Sequence, residues 1–259
     1  MINRKTNTPI KFIFLLVILS YFYSCEKHEP LRFQKKTISI ETYFDCENTD
    51  CVITEVLLLE SISENDLSEK INKRIEKAAC DALNIEDDNK VDNIENALKS
   101  FNSSYLEMKK EFPDEIIPYE ASINCDISFQ NENMLSVLIE SYIFTGGAHG
   151  SGNSNYLNID LKTGDIINNE EFIKDDKGFK DIAEKVFRET HNIPKNESIN
   201  STGYFFENNT FHLPSTIGFT EEHIILLYNQ YEVSSYAEGP IEIKLSKEKA
   251  LAYLNKNVL

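Results

Sequence analysis

The fold is decided by one stretch near the middle of the chain, residues 134–161, which reads MLSVLIESYIFTGGAHGSGNSNYLNIDL. Residues 134–144 and 155–161 are rich in the apolar, β-branched and aromatic residues that favour strands. Between them, Thr145-Gly146-Gly147-Ala148-His149-Gly150 contains three glycines, a composition typical of a connection between strands. We therefore predict two strands joined by a glycine-rich hairpin loop.

Before this stretch, the sequence predicts a hairpin, two amphipathic helices and a further strand. Leu67, Ile71 and Ile75 recur at the spacing that places side chains on one face of a helix. Pro113 and Pro118 end the second helix. The predicted elements are strands at 36–44, 52–59 and 119–130, a first helix for which Ser63 and Asp66 offer caps, and a second helix covering 92–112.

After the central stretch, shorter strands and helices continue to the end of the chain. The predicted elements are an edge strand at 170–173, a helix at 176–190, strands at 210–213, 218–227 and 240–245, and a closing helix at 247–254. Strands interleaved with packed helices indicate an α+β fold with antiparallel sheets, built as two intertwined subdomains. We place the N-terminal part at residues 36–118 and the C-terminal part at residues 119–259.

The beginning of the chain predicts export. Basic residues precede the apolar run FIFLLVIL at residues 12–19, and Ser24 precedes Cys25. A basic start and a short apolar run before a small residue form a signal peptide, and Ser24-Cys25 resembles the lipobox of bacterial lipoproteins. We expect a signal peptide at 1–24, acylation of Cys25, membrane attachment and a tether at 25–35. An uncleaved anchor, or secretion with a free Cys25, are the alternatives.

The cysteine count agrees with an acylated Cys25. The chain has five cysteines, an odd number for an exported protein. If Cys25 carries lipid, four remain, and we favour the pairs Cys46–Cys51 and Cys80–Cys125. A zinc site made of the four thiolates is the alternative, although the usual spacing within a ligand pair is two to four residues. We expect no bound metal and no cofactor.

The charge of the chain bears on its partners. The net charge is −17, and removal of residues 1–24, which hold three basic and no acidic residues, makes it −20. Such a charge repels nucleic acid and attracts cationic partners. An acidic surface also serves solubility alone.

Two groups of motifs resemble a family of envelope domains. The first comprises YIFTGGAHG at residues 142–150 and NYLNIDLKTG at residues 155–164. The second comprises FTEEHIILLYNQYEV at residues 219–233 and YAEGPIEI at residues 236–243. Together they resemble the extracellular domain of RsiV-like lysozyme-sensing anti-sigma factors and the non-catalytic domain of PdaC-like peptidoglycan deacetylases. The resemblance covers residues 36–254 and implies a non-catalytic module without the deacetylase domain.

The glycine-rich loop is the candidate site. The candidate binding residues are Thr145, Gly146, Gly147, His149, Gly150, Tyr231 and Tyr236. Glycines allow close backbone approach, His149 can act as a base or ligand, and exposed tyrosines often anchor interfaces. A loop whose histidine only packs or caps backbone groups is the structural alternative. We expect a binding module for a basic protein such as a lysozyme; the alternatives are a peptidoglycan-binding domain and a hydrolase that uses His149.

Overall fold

The computed structural model describes residues 31–84, 91–113 and 117–255. The predicted signal peptide at 1–24, the acylation site Cys25 and residues 26–30 of the tether lie outside the described residues. No helix within these ranges combines the length and the apolar character needed to cross a bilayer.

A five-stranded sheet organises the first part of the fold, with its strands in chain order. The strands are β1 (Phe33–Ile38), β2 (Ile53–Ser61), β3 (Glu120–Gln130), β4 (Met134–Phe144) and β5 (Ser151–Asp160). Neighbours are antiparallel except β2 and β3, which are parallel. Parallel neighbours need a long crossover, and two helices between β2 and β3 supply it. The sheet is therefore mostly antiparallel, as predicted, with one parallel pair of strands.

Helices α1 (Asp66–Leu83) and α2 (Ile94–Glu111) form this crossover. Each is preceded by an N-cap asparagine, Asn65 or Asn93, whose side chain accepts a backbone N–H of the first turn. Their apolar faces share one core with the sheet. This core includes Ile71, Ile75, Leu98, Phe101, Val56, Ile123, Val137 and Ile159, all at most 1% exposed.

A second core lies in the C-terminal part. Its elements are β6 (Thr216–Phe219), β7 (His223–Tyr228), β8 (Ile241–Ser246), α3 (Asn169–Phe172), α4 (Asp176–Thr190) and α5 (Lys247–Ala250). The aromatic residues Phe172, Phe179, Phe187, Phe219 and Tyr228 are fully buried there. Two cores that share the long strands β3 and β4 confirm the α+β class.

The two parts meet along β5, the edge strand of the first sheet. Asn158 Nδ2 donates to the Ile217 carbonyl at 2.8 Å, and the side chain of Asn229 pairs with the backbone of Ser154. The predicted boundary between residues 118 and 119 runs through the first sheet, because β2 and β3 lie on opposite sides of it.

Two predicted strands are not strands in the structure. The predicted edge strand at 170–173 is largely the short helix α3, because Asn168 and Glu171 form a reciprocal capping box. Residues 210–213 make no ladder in the structure; Tyr228 Oη donates to the His212 carbonyl at 2.6 Å instead.

Two other predicted strands have different extents. The strand at 36–44 ends at Ile38, since the N–H of the buried Ile40 donates to Thr54 Oγ1 and starts a 3-10 turn. The strand at 218–227 is divided between β6 and β7, because Thr220 closes a tight turn onto His223.

The cysteines follow the prediction in part. Cys46 and Cys51 are disulfide-bonded across the loop between β1 and β2, with their Cα atoms 5.6 Å apart. Among the described residues the second predicted disulfide does not form, and Cys80 and Cys125 are free, buried thiols there. Cys80 lies on α1 beside carboxylates, whereas Cys125 on β3 hydrogen-bonds to the backbone of Leu59.

Candidate functional site

The loop between β4 and β5 depends on two glycines. Gly146 and Gly147 have φ angles of +96° and +87°, in the left-handed region that favours residues without a Cβ. Apart from the glycine and its two chain neighbours, no atom of the described residues lies within 4 Å of where a Cβ would stand at either position. The glycines are therefore needed for the backbone turn and not for close packing. The loop leaves Thr145, Ala148 and His149 exposed.

His149 packs against an aromatic ring from another part of the chain. Its imidazole is stacked on the ring of Tyr236, with centroids 4.2 Å apart and planes 24° apart. His149 Nδ1 lies 3.0 Å from the Gly150 carbonyl oxygen, and Tyr236 Oη donates to the same oxygen at 3.1 Å. One backbone carbonyl thus holds both rings in place.

Gly150 has a different role from the glycines before it. A Cβ at this position would stand 2.4 Å from the ring of Tyr142 on β4. The absence of a side chain allows Tyr142 to lie against the loop, where 41% of this tyrosine remains exposed. Tyr142 is a member of the site that the sequence does not predict, because its contact with the loop joins residues on different sides of the turn.

Tyr231 extends the row of rings. Its centroid lies 5.7 Å from that of Tyr236, and 63% of the residue is exposed. Its φ of +67° is rare for a residue with a bulky side chain. We name the four residues Tyr142, His149, Tyr231 and Tyr236 the aromatic surface. Sequence reasoning had selected three of them, and the fold brings all four together.

The segment that carries Tyr231 is fixed to β5. Asn229 Oδ1 accepts the Ser154 N–H and Asn229 Nδ2 donates to the Ser154 carbonyl, both at 2.9 Å. Glu232 in turn accepts the backbone N–H groups of Asn229 at 2.9 Å and Ser215 at 3.1 Å. These bonds order the backbone on both sides of Tyr231. The aromatic surface is therefore held in place before any ligand arrives, which reduces the entropy lost on binding.

The surroundings of His149 bear on catalysis and metal binding. Its contacts are a carbonyl oxygen and a tyrosine ring, and a general base needs in addition a nucleophile within reach. In the ranges 31–84, 91–113 and 117–255, no three His, Cys, Asp or Glu side chains are grouped as metal ligands. This geometry suits packing and contact with a partner.

His191 and Tyr204 form a second pair of polar rings. Tyr204 Oη and His191 Nδ1 are 2.6 Å apart, and Phe187 packs against both rings. Burial lowers the pKa of His191, and burial also raises the pKa of the Tyr204 hydroxyl. Both shifts favour neutral forms, and Tyr204 packs, partly buried, against the second core.

Two families match consecutive regions of the chain. The family described as Deacetylase PdaC matches residues 46–152, and a family of unknown function, DUF3298, matches residues 164–248. No curated protein is similar enough to count as a match.

Two solved structures share the fold. One is a DUF3298 family member from Bacteroides fragilis, with a TM-score of 0.67 and 18% identity, covering 88% of this chain and 94% of its own. The other is a DUF3298 family protein from Pseudomonas aeruginosa, with a TM-score of 0.62 and 15% identity, covering 89% of this chain and 97% of its own.

Proposed function

We propose that this chain, which combines a PdaC-type domain with a DUF3298 domain, is a non-catalytic binding module of the cell envelope. Its partner is a cationic, wall-active protein such as a lysozyme, and the aromatic surface is the contact site. The observation that carries the proposal is the row of His149, Tyr236 and Tyr231, held through the Gly150 carbonyl, with the exposed Tyr142 against the same loop at Gly150.

The chemistry of the surface supports a protein partner. Tyrosine rings provide a large contact area with little rotamer entropy to lose, and they are enriched among residues that dominate interface energies. The left-handed backbone at Tyr231 is a strained conformation, and such strain tends to persist at binding sites. A surface of this kind binds a complementary protein face without any bond-making step.

The charge supports a cationic partner. The chain carries −17 overall, and the exposed Glu238 lies two residues beyond Tyr236. A negative field of this kind accelerates the encounter with a basic protein, most strongly at low ionic strength. Acylation of Cys25 would hold the module at the membrane, facing the partner.

The direct test is calorimetric titration of the chain with a lysozyme at ionic strengths of about 0.01 M and 0.15 M. We expect saturable binding that weakens with salt. Tyr231→Ala should reduce the affinity at least about tenfold, as expected for a central aromatic contact.

The matched control is Leu251→Ala. It removes another exposed apolar side chain, 47% exposed, from a C-terminal segment that packs near α4 rather than the loop. Affinity should not change in this variant. The proposal fails if no heat appears at either ionic strength, or if both variants bind like the unmodified chain.

A further inference from the structure

A polar cavity lies away from the aromatic surface, where the two parts of the fold meet. Its volume is about 490 Å³, within the range of about 300–1,000 Å³ usual for small-molecule sites. One wall comes from α1, a second from β5, and a third from residues 166–170 with Ser215. A molecule in this cavity would therefore contact both parts of the fold at once.

The cations of the cavity are already neutralised. Arg74 Nη2 lies 3.3 Å from a carboxylate oxygen of Asp165, and Lys77 Nζ lies 2.7 Å from one of Asp81. Lys77 Nζ is also 3.5 Å from Asp92 Oδ1. An anion would have to compete with these carboxylates inside a strongly acidic protein. The cavity therefore favours a ligand without net charge.

The remaining polar groups suit hydroxyls, which both donate and accept. Within the described residues, the Asn169 side chain is bonded only through Nδ2, to the Ser215 carbonyl at 3.1 Å, which leaves Oδ1 as an acceptor. Asn155 Oδ1 accepts from Thr216 Oγ1, which leaves its Nδ2 as a donor. Glu170 adds an exposed carboxylate to the same wall.

A buried polar atom at the wall also lacks a partner. Asn158 is 3% exposed, its Nδ2 donates to the Ile217 carbonyl, and its Oδ1 has no hydrogen-bond partner in the part of the chain that the structure describes. A buried polar atom of this kind is usually satisfied by an ordered water. Next to these polar groups, Ala78 and the 39% exposed Ile166 offer apolar contact. Hydroxyl-binding groups beside an apolar wall match a pyranose ring, which has hydroxyls along its edge and C–H groups on its face.

We infer that this cavity binds a neutral saccharide of one to three sugar units. The site is separate from the aromatic surface and does not depend on the function proposed for that surface. A protein with both sites would hold a glycan and a protein partner through different parts of one fold.

The test is calorimetric titration of the full chain with two neutral trisaccharides, fully N-acetylated chitotriose and cellotriose. Saturable binding of either sugar is expected, and chitotriose alone would show that acetamido groups are recognised. Glu170→Ala and Asn169→Ala should each weaken binding about tenfold, the loss expected for one hydrogen bond to a ligand hydroxyl. Asn153→Ala, an exposed change on β5 that does not line the cavity, should bind like the unmodified chain.

Three results would overturn the inference. They are the absence of saturable binding for both sugars, unchanged affinity in both cavity variants, and displacement of bound sugar by inorganic phosphate. Tyr231→Ala tests whether the two sites are independent. This variant should bind the sugars like the unmodified chain, whether or not the proposed protein partner binds the aromatic surface. Equal melting temperatures of all variants establish that the losses are local.

Discussion

Replacement of Gly218 by alanine should destabilise the contact between the two parts of the fold. Gly218 is a buried residue of β6, and the ring of Tyr156 on β5 lies directly against its Cα. A Cβ at position 218 would stand 2.1, 2.2 and 2.4 Å from three ring atoms, more than 1 Å closer than ordinary van der Waals contact. The ring cannot retreat freely, because the Tyr156 N–H is bonded to Thr216 Oγ1 on the neighbouring segment.

Overpacking of this kind costs about 1–3 kcal/mol. A destabilisation of about 2 kcal/mol lowers the melting temperature of a chain of this size by about 4–8 °C. Thermal and urea unfolding followed by circular dichroism measure both quantities. Tyr156→Ala in the same chain should remove the clash, so the double variant should lose less stability than the two single losses added together.

Gly152 provides a matched control. It is also a strand glycine, on β5, but the nearest atom to its added Cβ is the Ser141 carbonyl oxygen at 3.9 Å. Gly152→Ala should be neutral or should stabilise the protein by up to about 1 kcal/mol, since alanine loses less backbone entropy on folding. Equal stability of Gly218→Ala and the unmodified chain would refute the packing argument, and so would an equal loss in both variants.

Three further predictions concern the cysteines and one histidine. The Cys46–Cys51 disulfide closes a short loop, and its reduction should lower the free energy of unfolding by about 2 kcal/mol. Cys46→Ser should show the same loss in urea titrations, and an unchanged urea midpoint would contradict the prediction. Burial raises the pKa of Cys80 to about 12 and that of Cys125 to about 11, so alkylation at pH 8 should modify both thiols only after unfolding. Peptide mapping that finds either cysteine alkylated in the native protein would disprove this prediction. Burial lowers the pKa of His191 below its ordinary 6.5, so the unfolded chain binds the proton more readily than the folded chain, and stability should be full above about pH 6.5 and should fall as the pH drops towards the folded-state pKa. In His191→Gln the urea midpoint should depend less on pH in this range, and a pH profile identical to that of the unmodified chain would contradict the prediction.

The sequence predicts the regular elements well where one period dominates. Leu67, Ile71 and Ile75 repeat over several turns, and α1 lies where they indicate. Over a few residues the apolar pattern of a helix cannot be distinguished from that of a strand. At α3 the cap formed by Asn168 and Glu171 favours the helix.

The candidate site is predicted in its residue types but not in its geometry. The TGGAHG loop, Tyr231 and Tyr236 were selected together, and the structure stacks Tyr236 on His149. The position of Tyr142 requires a glycine at position 150, where a Cβ would clash with the tyrosine ring. This close approach joins two segments of the chain, and no local sequence pattern predicts it. The cavity arises from segments far apart in the chain, so its lining could not be assembled from spacing alone.

The position of β5 has a practical consequence for anyone who shortens this chain. The first family region ends at residue 152 and the second begins at residue 164, so most of β5 (Ser151–Asp160) belongs to neither region. A fragment trimmed to the first region would leave the long, apolar strand β4 (Met134–Phe144) with unpaired backbone groups along its outer side, and such edges promote aggregation. Expression boundaries should therefore keep residues 151–160 with both neighbours, and insolubility of halves cut at residue 152 would reflect the cut rather than the native protein.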